Sequence, residues 1–164
     1  MVQKNGNGRF RPPGPPEDSR DPNDVFPFQE NFCDCCGHQR GFIVSMDRIP
    51  PGYAVSATEE GAEGGNGYFF REFDPNCPYL ALGRLRRTIR FALATRHLEE
   101  REPGSFTPLH DTLRGRVSYS SEEHEVAFVI DGRFLTLSQF AKIVEVFEGW
   151  QFRLDFLGES EVVR

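Results

Sequence analysis

VIDGRFLTLSQFAKIVEVFEGWQFRL, residues 129 to 154, reads in one pass as a strand end, a turn, a helix and a second strand. Asp131-Gly132 is a turn dipeptide, because both residues tolerate positive φ. Thr136 followed three residues later by Gln139 is a capping-box pattern, in which each side chain satisfies the other's backbone N–H. Leu137, Phe140, Ile143, Val144 and Phe147 then recur at helical spacing, and Gly149 stands where such a helix stops. From Trp150 the period changes to two. Trp150, Phe152, Leu154 and Phe156 fall on one face, and Gln151, Arg153 and Asp155 on the other.

Upstream, Leu82, Leu85, Ile89 and Leu93 lie at i, i+3, i+7 and i+11, which predicts a helix from Tyr79 to about Arg101. Phe91 and Leu98 sit on its other side, as in a helix held between two layers. Arg86, Arg90 and His97 form a basic stripe at its edge and are candidate binding residues. The plainer reading of that stripe is a solvated face paired with nearby acids. LRGRVSYS and EVAFVIDG, separated by the polar SSEEHE, suit an antiparallel hairpin. The expected fold over residues 80–164 is therefore α+β: a small antiparallel sheet in the order α-β-β-α-β, with helices on one face.

Residues 25–79 read as a zinc-ribbon-like β subdomain. Its strands GFIVSM, YAVSA and YFFREF are separated by IPPGY and EEGAEGGNG and closed by the turn DPNCP. The glycine-rich loop lacks the Lys-Ser/Thr ending of a phosphate loop and is given no phosphate role. Residues 1–24 hold five of the twelve prolines, with glycines and opposed charges, and are expected to form a disordered arm.

The segment from Asp131-Gly132-Arg133 through Phe140 to Glu148-Gly149-Trp150-Gln151-Phe152 resembles the C-terminal signature of an uncharacterised bacterial domain-of-unknown-function family. LHDTLRGRV, with His110, Leu113, Gly115 and Val117, is similar to the start of that domain, and the resemblance extends over about residues 80–157. It implies a bacterial origin and a shared fold, and it names no activity. Each matching residue also has a structural use: Asp131-Gly132 for the turn, Gly149 for the helix stop, Trp150 for core area.

FCDCCGHQRGF, residues 32–42, lies outside that region. Cys33 and Cys36 have the two-residue spacing of a zinc knuckle, and Gly37 after the second cysteine lets backbone amides turn toward thiolates. No second such pair follows. Cys77, in the turn DPNCP 41 residues after Cys36, suits a second knuckle with a single ligand. The expected set is Cys33, Cys36, Cys77 and His38 around structural zinc, with Cys35, His97 or His110 as other fourth ligands. The competing reading is a group of reduced, partly buried thiols that folds without metal. A reactive thiolate needs a neighbouring cation, and Asp34 works against one. His110-Asp111 reads as a turn or cap before an acid–base pair, and Glu122, Glu123 and Glu125 around His124 as a solvated hairpin tip.

A net charge of −6 argues against a nucleic-acid or anionic-membrane surface. Residues 80–101 depart from it, with six arginines against two glutamates, a local balance of +4 that leaves the rest at −10. Arginine supplies 17 of the 19 basic residues, a bias that a GC-rich bacterial genome produces without function. No apolar run approaches the ~20 residues that span a bilayer and no secretory h-region is visible, so a cytoplasmic setting is expected. GxSxG, HExxH, P-loop and kinase motifs are absent. The expected function is a non-enzymatic, zinc-stabilised module that binds a protein partner. A small Cys/His-dependent enzyme and a nucleic-acid binder acting through the arginine helix are the alternatives.

Overall fold

The computed structural model describes residues 21–62, 66–120, 122 and 124–158. Most of the expected arm lies outside that range. Its last residues do not: α1 (Pro22–Val25) is a single helical turn, with Asp21 Oδ1 accepting the Asn23 N–H at 3.0 Å and Pro22 at its first position.

Four strands follow as an antiparallel meander: β1 (Phe28–Cys33), β2 (Gln39–Ile49), β3 (Gly52–Glu59) and β4 (Phe69–Asp74), in the order β1-β2-β3-β4. They contain the three segments read as strands. Alternation drives one face inward, and Phe32, Phe42, Val44, Val55 and Ala57 meet the helix α2 (Pro78–Leu93). Ala81, Leu82, Leu85, Ile89 and Leu93 of α2 complete this core. The apolar stripe expected of the helix is real, but it faces the preceding sheet. The expected boundary at residue 80 would cut this core in two, and the segment 25–79 is half of a sheet-and-helix unit.

Helix α2 also ends earlier than its periodicity suggested. His97 and Leu98 lie beyond it, and Leu98 is the first, buried residue of β5 (Leu98–Glu102). The cause is tertiary. One oxygen of Asp131 accepts the backbone N–H of both His97 and Leu98 at 2.7 Å, which draws the chain out of the helical path. Asp131 itself (φ 52°) and Gly132 (φ 72°) form the two-residue turn between β8 (Glu125–Ile130) and β9 (Arg133–Thr136).

The second unit comprises β5 with β6 (Ser105–Pro108), and the sheet of β7 (Gly115–Ser120), β8 (Glu125–Ile130) and β9 (Arg133–Thr136). The expected hairpin is β7–β8. The added strands β5, β6 and β9 replace the α-β-β-α-β order, because segments as short as RFLT give too few residues for a period to show. Helix α3 (Leu137–Glu145) begins with the full capping box of Thr136 and Gln139. It packs Phe140 on Phe128, with ring centroids 4.1 Å apart, and buries Ile143 against Leu98, Ile130 and Leu135.

The expected C-terminal strand does not pair. Residues 150–158 carry no helix or strand, and Trp150 is exposed against Phe147 instead of supplying core. A period of two specifies a strand only where a neighbouring edge receives it, and the tail pairs with none among the described residues.

The two units join along one seam. Gly67 N–H donates to Gly132 O at 2.7 Å and Phe134 N–H to Asn66 Oδ1 at 2.9 Å. Arg114 lies over the Phe91 ring at 5.1 Å and Arg116 over Phe69 at 5.8 Å. Phe91 thus does meet a second layer, through a cation rather than through apolar packing. No helix among the described residues is long and apolar enough to cross a membrane.

Candidate metal centre and junction pocket

The connection from β1 to β2 is a tight turn organised by one carboxylate. Asp34 Oδ1 accepts the backbone N–H of Cys36 and of His38, each at 2.9 Å, while Asp34 N–H donates to His38 O and Gly37 N–H to Asp34 O. Gly37 adopts φ 85°, the left-handed conformation the turn needs after Cys36. Asp34 Oδ2 accepts from Arg40 Nε at 3.2 Å, and Arg40 Nη1 donates onward to Glu59 at 2.7 Å. Burial opposes ionisation of Asp34, but these amides and Arg40 outweigh it and hold the carboxyl below its ordinary range.

Alternate residues of this turn point donor atoms to one place. An Asp34 oxygen, Cys36 Sγ and a His38 ring nitrogen all lie within 4.8 Å of one another, and His38 Nδ1 is 3.5 Å from Asp34 Oδ2. Cys35 Sγ is 3.9 Å from Cys36 Sγ. Those separations can be set against a tetrahedral zinc site. Bonds of about 2.3 Å to sulfur and about 2.1 Å to nitrogen or oxygen give ligand–ligand edges of roughly 3.8 and 3.4 Å. Both observed pairs fall near these edges.

The structure brings together two of the four expected ligands, Cys36 and His38. It does not bring Cys77 or Cys33. Cys77 is the residue before the first turn of α2, whereas the cysteine turn docks at the other end, where Cys35 N–H donates to Leu93 O at 2.9 Å. The helix between them has 16 residues, or about 24 Å at 1.5 Å per residue. Cys33 closes β1 opposite Gln39, and its thiol contacts the neighbouring Asp34 O. Sequence spacing favours the CxxC pair, whereas the residues this turn brings together are Asp34, Cys36 and His38.

His97 and His110 are not fourth ligands either. His97 is buried, its Nδ1 lies 3.0 Å from Thr112 O, and its ring meets His110 edge-on with centroids 6.4 Å apart. Since a carbonyl only accepts, Nδ1 carries the proton. His97 is therefore no part of a basic stripe. The remaining stripe residues serve the first core: Arg86 Nε reaches both oxygens of Glu30 at 2.9 and 3.0 Å, and Arg90 lies over the Phe32 ring at 5.8 Å.

Behind the turn a pocket of about 310 Å³ opens at the seam between the units. Cys35, Cys36 and His38 line one wall, and Tyr68, Arg96 and Arg133 others. Burial, reinforced by the nearby Asp131, pushes the Tyr68 phenol far up, so the ring presents a neutral hydroxyl. Burial, with Cys36 and Asp34 beside it, likewise raises the Cys35 thiol. The cysteine–histidine pair sharing this pocket uses His38; His110 does not line it.

With this geometry in place, the comparisons with known proteins bear on the second unit alone. Residues 97–161 match a family model described as Domain of unknown function (DUF7713). The match begins at His97, where the chain leaves α2, so the four-stranded sheet, its helix and the cysteine turn lie outside it. The resemblance expected from residue 80 thus starts after the helix. No curated protein and no solved structure matches the chain.

Proposed function

We propose that the chain is a non-enzymatic binding module in which the turn 34–38 holds a single zinc ion and presents it at the mouth of the junction pocket. The observation that carries this reading is the convergence of Asp34, Cys36 and His38 within 4.8 Å. Mixed S, N and O donors suit zinc better than a hard cation such as magnesium or calcium. Cys36 and His38 supply the soft donors, Asp34 an oxygen, and Cys35 stands beside them as a fourth. A partner protein would dock where the ion, Arg96 and Arg133 meet.

Binding is favoured over nucleophilic catalysis because the group set against the Cys36 sulfur is the Asp34 carboxylate, where a reactive thiolate needs a cation. Nucleic-acid binding through α2 is disfavoured because Arg86 and Arg90 are engaged within the first unit. The arginine bias supports a bacterial origin.

Elemental analysis of purified protein tests the reading. One zinc per chain is expected, lost in Cys36→Ser/His38→Ala, with cobalt substitution giving thiolate-to-metal absorption in the parent only. Metal-free protein that takes up no zinc on titration, or equal uptake by the double variant, would sink it.

A further inference from the structure

The second unit leaves more apolar surface in water than its small core explains. Trp150 is 66%, Phe152 91%, Leu154 65% and Phe156 73% exposed. Their alternation with Gln151, Arg153 and Asp155 places the four on one side of an extended chain. Arg153 and Asp155 pair with each other at 3.0 Å on the polar side.

A second bare surface lies on the three-stranded sheet. In the β7–β8 register Val117 faces Phe128 and Tyr119 faces Val126, so all four share one side. Helix α3 covers that side over Phe128, but Val117, Tyr119 and Val126 are exposed. β7 is also the outer strand of the order β7-β8-β9. An outer strand offers alternate amides and carbonyls to an incoming strand.

The geometry points to a reciprocal exchange between two copies of this chain. Residues 150–157 of each add as a strand to β7 of the other, and Trp150, Phe152, Leu154 and Phe156 continue the face of Val117 and Tyr119. Strand addition draws affinity from the backbone ladder and register from alternate side chains. Three observations favour a second copy as the occupant. Among the described residues the tail pairs with no strand, and Trp150 meets Phe147. Both halves of the contact belong to the segment 97–161, so any copy that carries one carries the other. Reciprocal docking would bury roughly 1,500 Å² in total, the size of a standard stable interface, and one tail on an unrelated surface about half that. The exchange closes with two-fold symmetry and leaves no free end for polymerisation.

Trp150 is the sole tryptophan of the chain, so its emission reports tail burial directly. Light scattering on the full chain is expected to show a dimer. On dilution, the emission should shift to the red in step with dissociation. Phe152→Asp/Phe156→Asp changes the tail and Val117→Lys/Tyr119→Lys the receiving face. All four residues are exposed, so unchanged circular dichroism controls for folding. Each pair should weaken self-association on the order of a hundredfold or more. A chain that stays monomeric at the highest concentration reached overturns the proposal. Blue-shifted Trp150 in that monomer would place the tail on its own chain. A dimer that survives both pairs also overturns it, because another surface would then hold the copies. Chelation of zinc should leave the dimer intact, which separates this result from the fate of the metal site.

Discussion

The two units of this chain use their apolar residues differently. In the first, a four-stranded sheet and the 16-residue α2 close on a core of eleven buried side chains that runs from Phe26 to Leu93. In the second, a three-stranded sheet and the nine-residue α3 gather a core cluster of four buried side chains, Leu98, Ile130, Leu135 and Ile143, with Phe106, Leu113, Phe128 and Phe140 packed around them. A large core takes in a whole face of its helix, here Ala81, Leu82, Leu85, Ile89 and Leu93. A small one leaves helix and sheet positions such as Val144 and Val117 open, and so depends on neighbours for stability. The first unit therefore stands on its own packing, and the second leans on the seam and, as proposed, on another copy.

The largest expected effect breaks the first core. Leu85 is fully buried between α2 and the sheet, and Leu85→Ala should cost about 4 kcal/mol in urea unfolding, near the upper end for such truncations. Leu135→Ala, equally buried but in the thinner core, should cost about 2 kcal/mol because fewer neighbours must relax around the void. Equal costs would remove the contrast between the units.

The next effect addresses the entry to the second unit, just after α2. Asp131→Ala leaves the N–H groups of His97 and Leu98 without their carboxylate, at a cost of about 2–3 kcal/mol. Asp131→Asn keeps an acceptor and the tolerance for positive φ, so it should cost about half as much. If thermal melting shows no difference between the two, the carboxylate does not hold the chain at this point.

The smallest effect is one of pH. Asp74 Oδ1 accepts the N–H groups of Asn76 and Cys77 at 2.9 Å, and Arg84 Nη2 reaches Oδ2 at 2.9 Å, so these partners hold the carboxyl below its ordinary range. A depressed folded-state pKa means that the stabilisation is complete above the unfolded carboxylate range and is lost as pH falls through the folded value. Melting temperatures of the parent and Asp74→Asn should differ at neutral pH and converge in acid. A gap that widens on acidification would reverse the assignment.

Local patterns were legible in the sequence wherever local physics governed. The strands around Phe42, Val55 and Phe70 show their alternation, and Thr136 with Gln139 marks the start of α3 to the residue. What stayed hidden was decided at a distance. Nothing near Ala94 says that α2 stops there, because the acceptor that ends it is Asp131, and nothing in Trp150–Phe156 says whether a strand waits to receive it. The candidate site was half visible. Cys36 and His38 stood out, Asp34 was taken as an opponent of thiolate chemistry, and Cys77 was separated from the others by the length of a helix no spacing rule measures.

The clasp made by Asp131 has a consequence for how the chain divides. Its donors, His97 and Leu98, and its acceptor all fall within residues 97–161, so the matched segment carries its own starting latch. The couplings of Gly67 to Gly132 and of Asn66 to Phe134, by contrast, tie that segment to the first unit. The cysteine turn lies outside the matched segment and belongs to the first unit.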